Sequence, residues 1–278
     1  MNSTQKRAPK VLIIGIHGPY EPWMEILTNG QMKTWMSHNS SSRIVNAFGQ
    51  AINSKSRKID EKIYYLRWSK SKIIAYGALL LEAGFKKFLP VHKYQPVIIR
   101  NQENSPIESW QIQMPDSLLL QGVKNVSVFR KSLEIEYDFL VTTITSSYLN
   151  VALLEEVLAN VPRSNYLAGR IENSGPMRYQ QGSFRVYSRD VVIKLVENFS
   201  GYKHWKIEDI AMGDLVANHF QDLCSLSNRT LESFSDVESL TKEDLNSTLS
   251  YRCKSTKDGR RIDSQIMNLL HKKLLSGG

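Results

Sequence analysis

The sequence predicts an α/β fold, a three-layer sandwich around a mostly parallel sheet, with a helical appendage at the C-terminus. Two strand-length segments, Val11–Ile16 and Asp138–Ile144, are rich in apolar and β-branched residues without a polar alternation. Such continuous hydrophobicity is typical of parallel strands that are buried on both faces. Strand and helix patterns then alternate along the chain, which indicates a sheet covered by helices.

The elements of the N-terminal half follow in order after the first buried strand. A helix is predicted over Trp23–Met36, where Gly30 weakens the middle, and a second strand over Arg43–Phe48. The remaining elements predicted before the second buried strand are a helix over Ala75–Phe88, a weakly alternating segment Trp110–Met114 and a helix over Ser117–Lys131.

The C-terminal half begins with the polar residues Thr145–Ser147, which follow the second buried strand. An amphipathic helix comes next, with apolar residues at helical spacing from Val151 to Val161, and ends at Pro162. The later elements are a strand Tyr166–Ile171, a polar loop Gly175–Gly182, a strand Ser183–Tyr187, a helix from Ser188 through Val196, a helix from Glu208 to about His219, and a helix Ile262–Leu274. Ser188 fits the N-cap position of its helix.

Ligands of such sheets bind beyond the carboxyl ends of the strands. The loops His17–Glu21 and Thr145–Ser147 follow the two buried strands and are therefore the first candidates for a site.

Positive charge is concentrated in the first 100 residues. The 278 residues include 36 Lys and Arg against 27 Asp and Glu, a formal charge of +9. Residues 1–100 hold 16 basic against 5 acidic residues, and the rest of the chain holds 20 against 22. The asymmetry indicates an anionic partner on the N-terminal side: a nucleotide, a nucleic acid or an anionic membrane surface.

The basic segment Lys55–Lys72 also carries Tyr64, Tyr65 and Trp68. Three interpretations are open. The commonest is a solvated face, the second is contact with a nucleotide or an anionic lipid-linked acceptor, and the third is single-stranded nucleic acid on an aromatic platform.

Composition and motifs exclude several classes of protein. A hydrophobic fraction of 41% excludes wholesale disorder. There is no phosphate-binding Gly-rich loop, no zinc spacing, no Gly-x-Ser-x-Gly elbow and no apolar run near the roughly 20 residues of a membrane span. Two cysteines and an N-terminus without an apolar segment favour a reducing, cytoplasmic location, with peripheral contact at the inner face of the membrane as the alternative.

Four motifs in a fixed order carry the functional prediction. They are Thr145–Asn150, Tyr166–Arg170, Gly182–Asp190 and Glu208–Gly213. This order resembles GT-A glycosyltransferases of the β1,3-galactosyltransferase type, and more closely an uncharacterised bacterial-type branch of them. In that family a strand ends at a metal-binding Asp-x-Asp, and a Tyr-x-x-Gly strand, a Gly-x-Gly-Tyr-x-x-Ser-Arg-Asp junction and a Glu-Asp-Val-x-x-Gly helix follow.

Other segments fit the same resemblance, which covers about residues 10–270. Gln31–Trp35 is similar to the Gln-x-x-Thr-Trp helix of the family, and Pro115–Ser117 with Lys124 to the segment before the metal strand. Tyr251–Lys254 and Arg261–Asp263 resemble a C-terminal segment of the closer branch. We expect a disordered N-terminus over 1–9. The resemblance implies a GT-A-like domain over 10–225, with a C-terminal helical appendage over 226–278 packed on that domain.

The position of the Asp-x-Asp motif is occupied here by Thr145, Ser146 and Ser147. Hard divalent cations prefer carboxylate oxygens, so these hydroxyls do not hold Mn²⁺ or Mg²⁺ by themselves. Three outcomes stay open: basic residues replace the metal, the donor differs, or catalysis is lost. Lys124, which matches a lysine of the family, and Arg100 are the candidates for contacting a donor diphosphate. A helix N-cap is the purely structural interpretation of the three hydroxyl residues.

The acidic pair Glu208–Asp209 is the predicted catalytic centre. By resemblance, Asp209 is a general base that removes the proton of the acceptor hydroxyl in an inverting displacement, assisted by Glu208. The structural alternative is a pair of carboxylates that stabilises a helix start.

Four further residues are weaker site candidates. His17 faces the expected donor site, although a lone histidine is usually incidental. Gly182 and Ser183 replace part of the family's Gly-x-Gly and, with Trp205, are candidates for contacting the acceptor. Gly182 serves equally as a point of close backbone approach, and Trp205 equally as a core residue.

The sequence therefore predicts transfer of a sugar from a nucleoside diphosphate sugar to a hydroxyl of a glycan or glycolipid. The rival hypothesis is a non-catalytic relative that binds a glycan or nucleotide-sugar without turnover. A nucleic-acid partner ranks third.

Overall fold

The computed structural model describes residues 7–37, 40–66, 71, 73–74, 77–78, 80–81, 96–98, 107–174, 177–203, 206–220 and 222–276. Arg100, Trp205 and Trp68 lie outside these residues, as does most of the predicted helix Ala75–Phe88.

The central sheet has eight strands among the described residues. They are β1 (Val11–His17), β2 (Arg43–Gln50), β3 (Pro96–Ile98), β4 (Glu108–Pro115), β5 (Phe139–Ile144), β7 (Leu167–Ser174), β8 (Met177–Ser188) and β9 (Cys224–Ser225). Their order in the sheet is β3-β4-β2-β1-β5-β8-β7-β9.

The four strands β4, β2, β1 and β5 are parallel, and β1 lies between β2 and β5. The predicted mostly parallel sheet is thereby confirmed. One detail of the sequence analysis is wrong: residues 177–182, predicted as a loop, belong to strand β8, which pairs antiparallel with β5 and β7. The polar residues of this segment pair with Ile171–Ser174, so backbone pairing overrides their turn propensity.

The α-helices are α1 (Trp23–Ile26), α2 (Ser54–Leu66), α3 (Gln121–Ser132), α4 (Val151–Ala159), α5 (Arg189–Glu197), α6 (Glu208–Ala217), α7 (Phe234–Glu238), α8 (Lys242–Ser247) and α9 (Asp263–Leu275). The predicted single helix Trp23–Met36 is wrong, because α1 passes into a π-helical segment Leu27–Gln31 and a 3₁₀ turn Trp35–Ser37. Gly30 of this segment lies against α9, where an added Cβ would be 2.9 Å from Met267 Sδ.

A second, three-stranded sheet joins the C-terminal segment (residues 228–275) to the loop after β5. It contains β6 (Ser147–Leu149), β10 (Asn228–Leu231) and β11 (Ser250–Cys253), and β11 pairs antiparallel with β6. A short hairpin, β12 (Thr256–Lys257) and β13 (Arg260–Arg261), precedes α9.

This arrangement corrects the N-cap interpretation of Thr145–Ser147. The N-cap of α4 is Asn150, whose Oδ1 accepts a hydrogen bond from the Leu153 N–H at 3.4 Å. Ser147 is already in strand β6, because β11 offers it a pairing partner that the local sequence does not reveal.

Two hydrophobic layers cover the two faces of the central sheet. Val11 and Ile13 of β1 face one layer, and Leu12 and Ile14 face the other. The first layer includes Leu154 and Leu158 of α4 and Ile266 and Leu270 of α9, and the second includes residues of α3, α5 and α6. The predicted three-layer arrangement follows from this division, and α9 shares the first layer with β1.

Within the described residues, none of the helices combines the length and the hydrophobicity that crossing a bilayer requires. Cys224 is exposed and Cys253 is buried, and neither forms a disulfide.

Candidate functional site

A cleft of about 400 Å³ opens at the carboxyl ends of β1 and β5, where the sequence analysis expected a site. It is bounded by the ends of both strands, by the residues before and within α3, and by the C-terminal segment. The described residues that line it are Ile16, Gly18, Trp23, Tyr65, Asp116, Leu118, Gln121, Lys124, Ile144, Thr145, Ser146, Arg252, Lys254 and Arg261.

Thr145 and Ser146 line this cleft, and a buried histidine fixes Thr145. His17 Nδ1 lies 2.9 Å from Thr145 Oγ1, and His17 Nε2 lies 2.9 Å from Asn46 Oδ1. Burial lowers the pKa of His17 to about 3, so its ring is neutral at physiological pH. With Nε2 donating to Asn46, Nδ1 accepts the Thr145 hydroxyl proton. His17 is only 1% exposed, and it therefore supports the cleft wall from behind.

Ser147 is separate from the cleft lining. Its hydroxyl donates to the Ser183 carbonyl at 2.7 Å, which ties the loop to β8. Gln31 Nε2 donates to the carbonyls of Ile144 (2.9 Å) and Ser147 (2.7 Å) and fixes the loop backbone from the other side.

The cleft lining contains four basic residues and one acidic residue. Lys124 Nζ donates to Asp116 Oδ1 and to the His17 carbonyl, so its charge is compensated inside the protein. Arg261 pairs with Asp263, and its guanidinium lies 4.9 Å from the centre of the Trp23 ring. Lys254 is exposed. The lining therefore has an excess of positive charge.

Arg252 brings an open hydrogen-bond donor to this cleft. Among the described residues, its Nε is buried without a hydrogen-bond partner. Burial and the charge of Arg170 lower the pKa of Arg252. A desolvated guanidinium with an open donor favours an anion as its partner.

The residues at the Asp-x-Asp position do not fit a divalent cation. In the part of the chain that the structure describes, no group of three or more His, Cys, Asp or Glu could hold a metal ion. The single carboxylate of the cleft lining, Asp116, is already paired with Lys124. Thr145 and Ser146 offer only uncharged hydroxyl oxygens, which do not fit Mn²⁺ or Mg²⁺. Because Thr145 donates its proton to His17, the Ser146 hydroxyl is the one that matches a phosphate oxygen.

A second cluster lies at the start of α6, where Arg185 of β8 holds the predicted acidic pair. Arg185 Nη1 and Nη2 donate to the two carboxylate oxygens of Glu208 at 2.8 and 2.9 Å, and Nη2 also donates to Asp209 Oδ1 at 2.6 Å. Asn125 donates to Glu208, and the Gly182 N–H donates to Asp209 Oδ1 at 2.9 Å. Both carboxylates are thus fixed in position.

The two carboxyl groups differ in ionisation. Burial opposes the charge of Glu208, but Arg185 outweighs it and lowers the pKa of Glu208. Burial raises the pKa of Asp209 to about 7; the negative charge of Glu208 adds to this effect and Arg185 opposes it. Glu208 therefore stays ionised, while Asp209 can accept a proton near neutral pH.

Two of the predicted acceptor residues, Gly182 and Ser183, lie among the described residues. Gly182 contacts Asp209 through its backbone, and an added Cβ would be 3.0 Å from Asp209 Oδ1. Ser183 is buried, and its hydroxyl donates to Gln181 Oε1 at 2.9 Å. Burial and the charge of Arg170 lower the pKa of Arg252 in the cleft, and the negative charge of Asp209 acts in the opposite direction.

Arg185, Asp116 and Arg252 were not predicted as site residues. Arg185 could have been found, since a charged residue between Phe184 and Val186 in an apolar strand needs a buried partner of opposite charge. Asp116 and Arg252 belong to segments that carry the family resemblance, Pro115–Ser117 and Tyr251–Lys254, but their places in the cleft depend on long-range folding.

No protein-family model matches this sequence, and no curated protein matches it. Among solved structures, an active-site variant of LgtC and the galactosyltransferase LgtC bound to donor and acceptor sugar analogues are 8% and 9% identical to this chain, with TM-scores of 0.46 and 0.45. Each alignment covers 95% of both chains. The glycosyltransferase GlyE of Streptococcus pneumoniae is 12% identical with a TM-score of 0.44, over 97% of this chain and 62% of its own. Likenesses at this level assign no activity to the chain.

Proposed function

We propose that this protein is a glycosyltransferase that moves a sugar from a nucleoside diphosphate sugar to a hydroxyl of a glycan or glycolipid. The observation that carries the proposal is the Asp209 carboxylate, which the Gly182 N–H and Arg185 fix in position and whose pKa is raised by burial to about 7. The order of the sequence motifs supports the same function.

In this proposal the cleft binds the diphosphate of the donor. Arg252, Lys254 and Arg261 supply positive charge to the leaving group, and the Ser146 hydroxyl donates to a phosphate oxygen. The Thr145 hydroxyl donates to His17 and forms part of the cleft wall beside it. Fixed cations stabilise the departing diphosphate in the way that a divalent metal does elsewhere. The charge asymmetry of the sequence predicts this charge on the N-terminal side, but three of the four basic residues among the described lining residues lie within 252–261.

Asp209 is the proposed general base. Its carboxylate takes the proton of the acceptor hydroxyl, and the acceptor oxygen forms a bond to the anomeric carbon. The bond from that carbon to the diphosphate oxygen breaks, and its electron pair leaves with the diphosphate. Attack opposite the leaving group inverts the configuration of the anomeric carbon. Burial keeps the pKa of Asp209 high, the negative charge of Glu208 adds to this effect, and Arg185 holds both groups in place.

Substitution Asp209→Asn tests the base assignment. We expect donor turnover to fall about 100-fold or more, because the amide accepts no proton. Binding of the nucleoside diphosphate should change less than about threefold. The assay measures release of nucleoside diphosphate from UDP-, GDP- and dTDP-hexoses, with water and simple sugars as acceptors.

Asp222→Asn, which removes an exposed carboxylate outside the cleft, is the matched control and should leave turnover unchanged. Full turnover by the Asp209→Asn variant would exclude Asp209 as the base.

A non-catalytic binding protein is the second candidate, and the hydroxyl residues at the Asp-x-Asp position are the observation that favours it. This candidate predicts that nucleoside diphosphate sugars raise the melting temperature of the protein without any hydrolysis or transfer. Detectable turnover that depends on Asp209 decides against it.

A further inference from the structure

Exposed apolar side chains are concentrated in one stretch of the chain. Among the described residues, eight large hydrophobic side chains are exposed, and six of them lie between positions 59 and 81. These six are Ile59 (41% exposed), Tyr65 (67%), Ile73 (85%), Ile74 (47%), Leu80 (60%) and Leu81 (60%). Isolated exposed apolar residues need no explanation, but a concentration of them marks an interaction surface.

The outer face of α2 combines these apolar residues with lysines. Lys55, Lys58, Ile59, Lys62 and Tyr65 are all exposed, and their spacing of three or four residues places them on one side of the helix. This face thus presents three positive charges beside an aliphatic and an aromatic side chain.

The acidic residues of α2 do not compensate those lysines on the outer face. Asp60 is buried and accepts a hydrogen bond from the Leu118 N–H at 2.7 Å. Glu61 pairs with Arg57 at 2.9 Å. The inner side of the helix thereby anchors it to the domain and leaves the outer face basic.

The stretch after α2 continues the apolar character. The described residues 73–74, 77–78 and 80–81 are helical. Ile73 and Leu80, like Ile74 and Leu81, are seven residues apart, the spacing of side chains on one face of a helix. Ala78 is buried, whereas those four side chains are exposed.

We propose that the outer face of α2 (Lys55, Lys58, Ile59, Lys62 and Tyr65) and the exposed side chains that follow it (Ile73, Ile74, Leu80 and Leu81) form one basic–apolar surface, and that this surface docks on an anionic lipid bilayer. Lysines attract the anionic headgroups, while isoleucine, leucine and tyrosine side chains enter the boundary between headgroups and acyl chains. A nucleic acid would use the lysines and Tyr65 but offers no environment for five exposed aliphatic side chains. The combination of charge and aliphatic surface therefore favours lipid.

The surface adjoins the cleft, because Tyr65 belongs to both. Docking brings the cleft mouth to the bilayer surface. One consequence for the acceptor rests on the proposed function: the acceptor is a lipid-anchored sugar that reaches the cleft from the membrane side.

Flotation of the full chain with vesicles tests the docking. We expect the protein to float with phosphatidylcholine vesicles that contain phosphatidylglycerol and to stay behind with pure phosphatidylcholine. The variant K55E/K58E/K62E should lose about tenfold or more in binding, and I73S/L80S several-fold. The matched controls are K33E/K242E/K272E, with the same change of net charge, and I193S/L275S, which alters the other two exposed hydrophobic residues.

Three outcomes overturn the proposal: no flotation with anionic vesicles, equal losses in the variants and their controls, or tight binding to single-stranded RNA without vesicle binding. Flotation needs neither donor nor turnover, so its failure is independent of the proposed activity. Hydrolysis of the donor in solution should be unchanged in K55E/K58E/K62E, and loss of vesicle binding with intact hydrolysis assigns the lysines to docking alone.

Discussion

At the scale of single residues, the contacts of Arg185 decide which carboxyl group of the acidic pair stays ionised. It is 2% exposed and donates to both Glu208 and Asp209, so one guanidinium compensates two carboxyl groups. One positive charge cannot fully stabilise two negative charges in a buried place. Glu208 receives the two-point contact and stays ionised, while Asp209 shares only one nitrogen and keeps a raised pKa.

Removal of this guanidinium should damage both stability and activity. We expect Arg185→Gln to lower the free energy of unfolding by about 3–5 kcal/mol, because it leaves buried carboxylates without a positive partner. Urea denaturation followed by circular dichroism measures the change. Arg178→Gln, an exposed arginine on the same strand, is the control with little expected effect. A loss below about 1 kcal/mol for Arg185→Gln would contradict the account.

The sequence located the acidic pair but not its partner. Glu208 and Asp209 stand together at a predicted helix start, so the motif and the helix pattern agree on their position. The role of Arg185 arises because β8 pairs with β5 and carries this side chain under α6. Arg185 and Glu208, which are in contact, lie more than 20 residues apart in the sequence. The local indication of this contact is a charged residue within an apolar strand.

At the scale of elements, strand β8 and helix α6 set the position of Asp209. The Gly182 N–H donates to the Asp209 carboxylate, and no Cβ intervenes between them. The strand therefore approaches the helix start closely enough to fix the proposed base.

Substitution Gly182→Ala should displace the base without unfolding the protein. The new Cβ would stand 3.0 Å from Asp209 Oδ1, closer than an ordinary contact. We expect kcat for donor turnover to fall about tenfold or more, since small displacements of catalytic groups are costly. In Gly201→Ala the Cβ meets only Leu215 Cδ1 at 3.9 Å, so this variant should keep its activity. Wild-type kcat in Gly182→Ala would show that this contact does not position the base.

The buried strands and the regular helices could be predicted, whereas the irregular elements could not. β1 and β5 carry continuous apolar sequence, so local composition and the fold agree on them. The π-helical segment Leu27–Gln31 contains Gly30, which contacts α9 more than 200 residues later in the chain. The irregular geometry of the segment depends on that contact. The strand Ser147–Leu149 similarly depends on β11. The hydrophobic pattern within a segment does not show which distant residues that segment contacts in the fold.

At the scale of the whole molecule, positive charges are concentrated in two separate places, the outer face of α2 and the cleft. The N-terminal surplus includes the lysines on the outer face of α2, while most basic residues of the cleft come from residues 252–261. The charge asymmetry of the sequence indicated an anionic partner but not this division. The division of positive charge between the two places arises because β11 pairs with β6 and brings the C-terminal segment beside the carboxyl end of β5.

The C-terminal segment should accordingly control donor affinity. We expect Arg252→Gln to raise the Kd for a nucleoside diphosphate about tenfold in buffer containing EDTA, because a desolvated arginine–phosphate contact is lost. Isothermal titration calorimetry measures the affinity. Arg260→Gln, an exposed arginine of the neighbouring hairpin, is the matched control. Equal affinity in wild type and Arg252→Gln would remove this residue from the donor site.

The pH dependence of donor turnover, measured with and without metal, tests the central claim most directly. Asp209 is protonated below its raised pKa of about 7 and cannot then accept a proton. The rate should therefore rise tenfold per pH unit below about pH 7 and level off above it, with the same curve in EDTA and in Mn²⁺. A rate that is constant from pH 5 to 9, or that vanishes in EDTA and returns with Mn²⁺, would contradict a metal-independent transfer with Asp209 as the base.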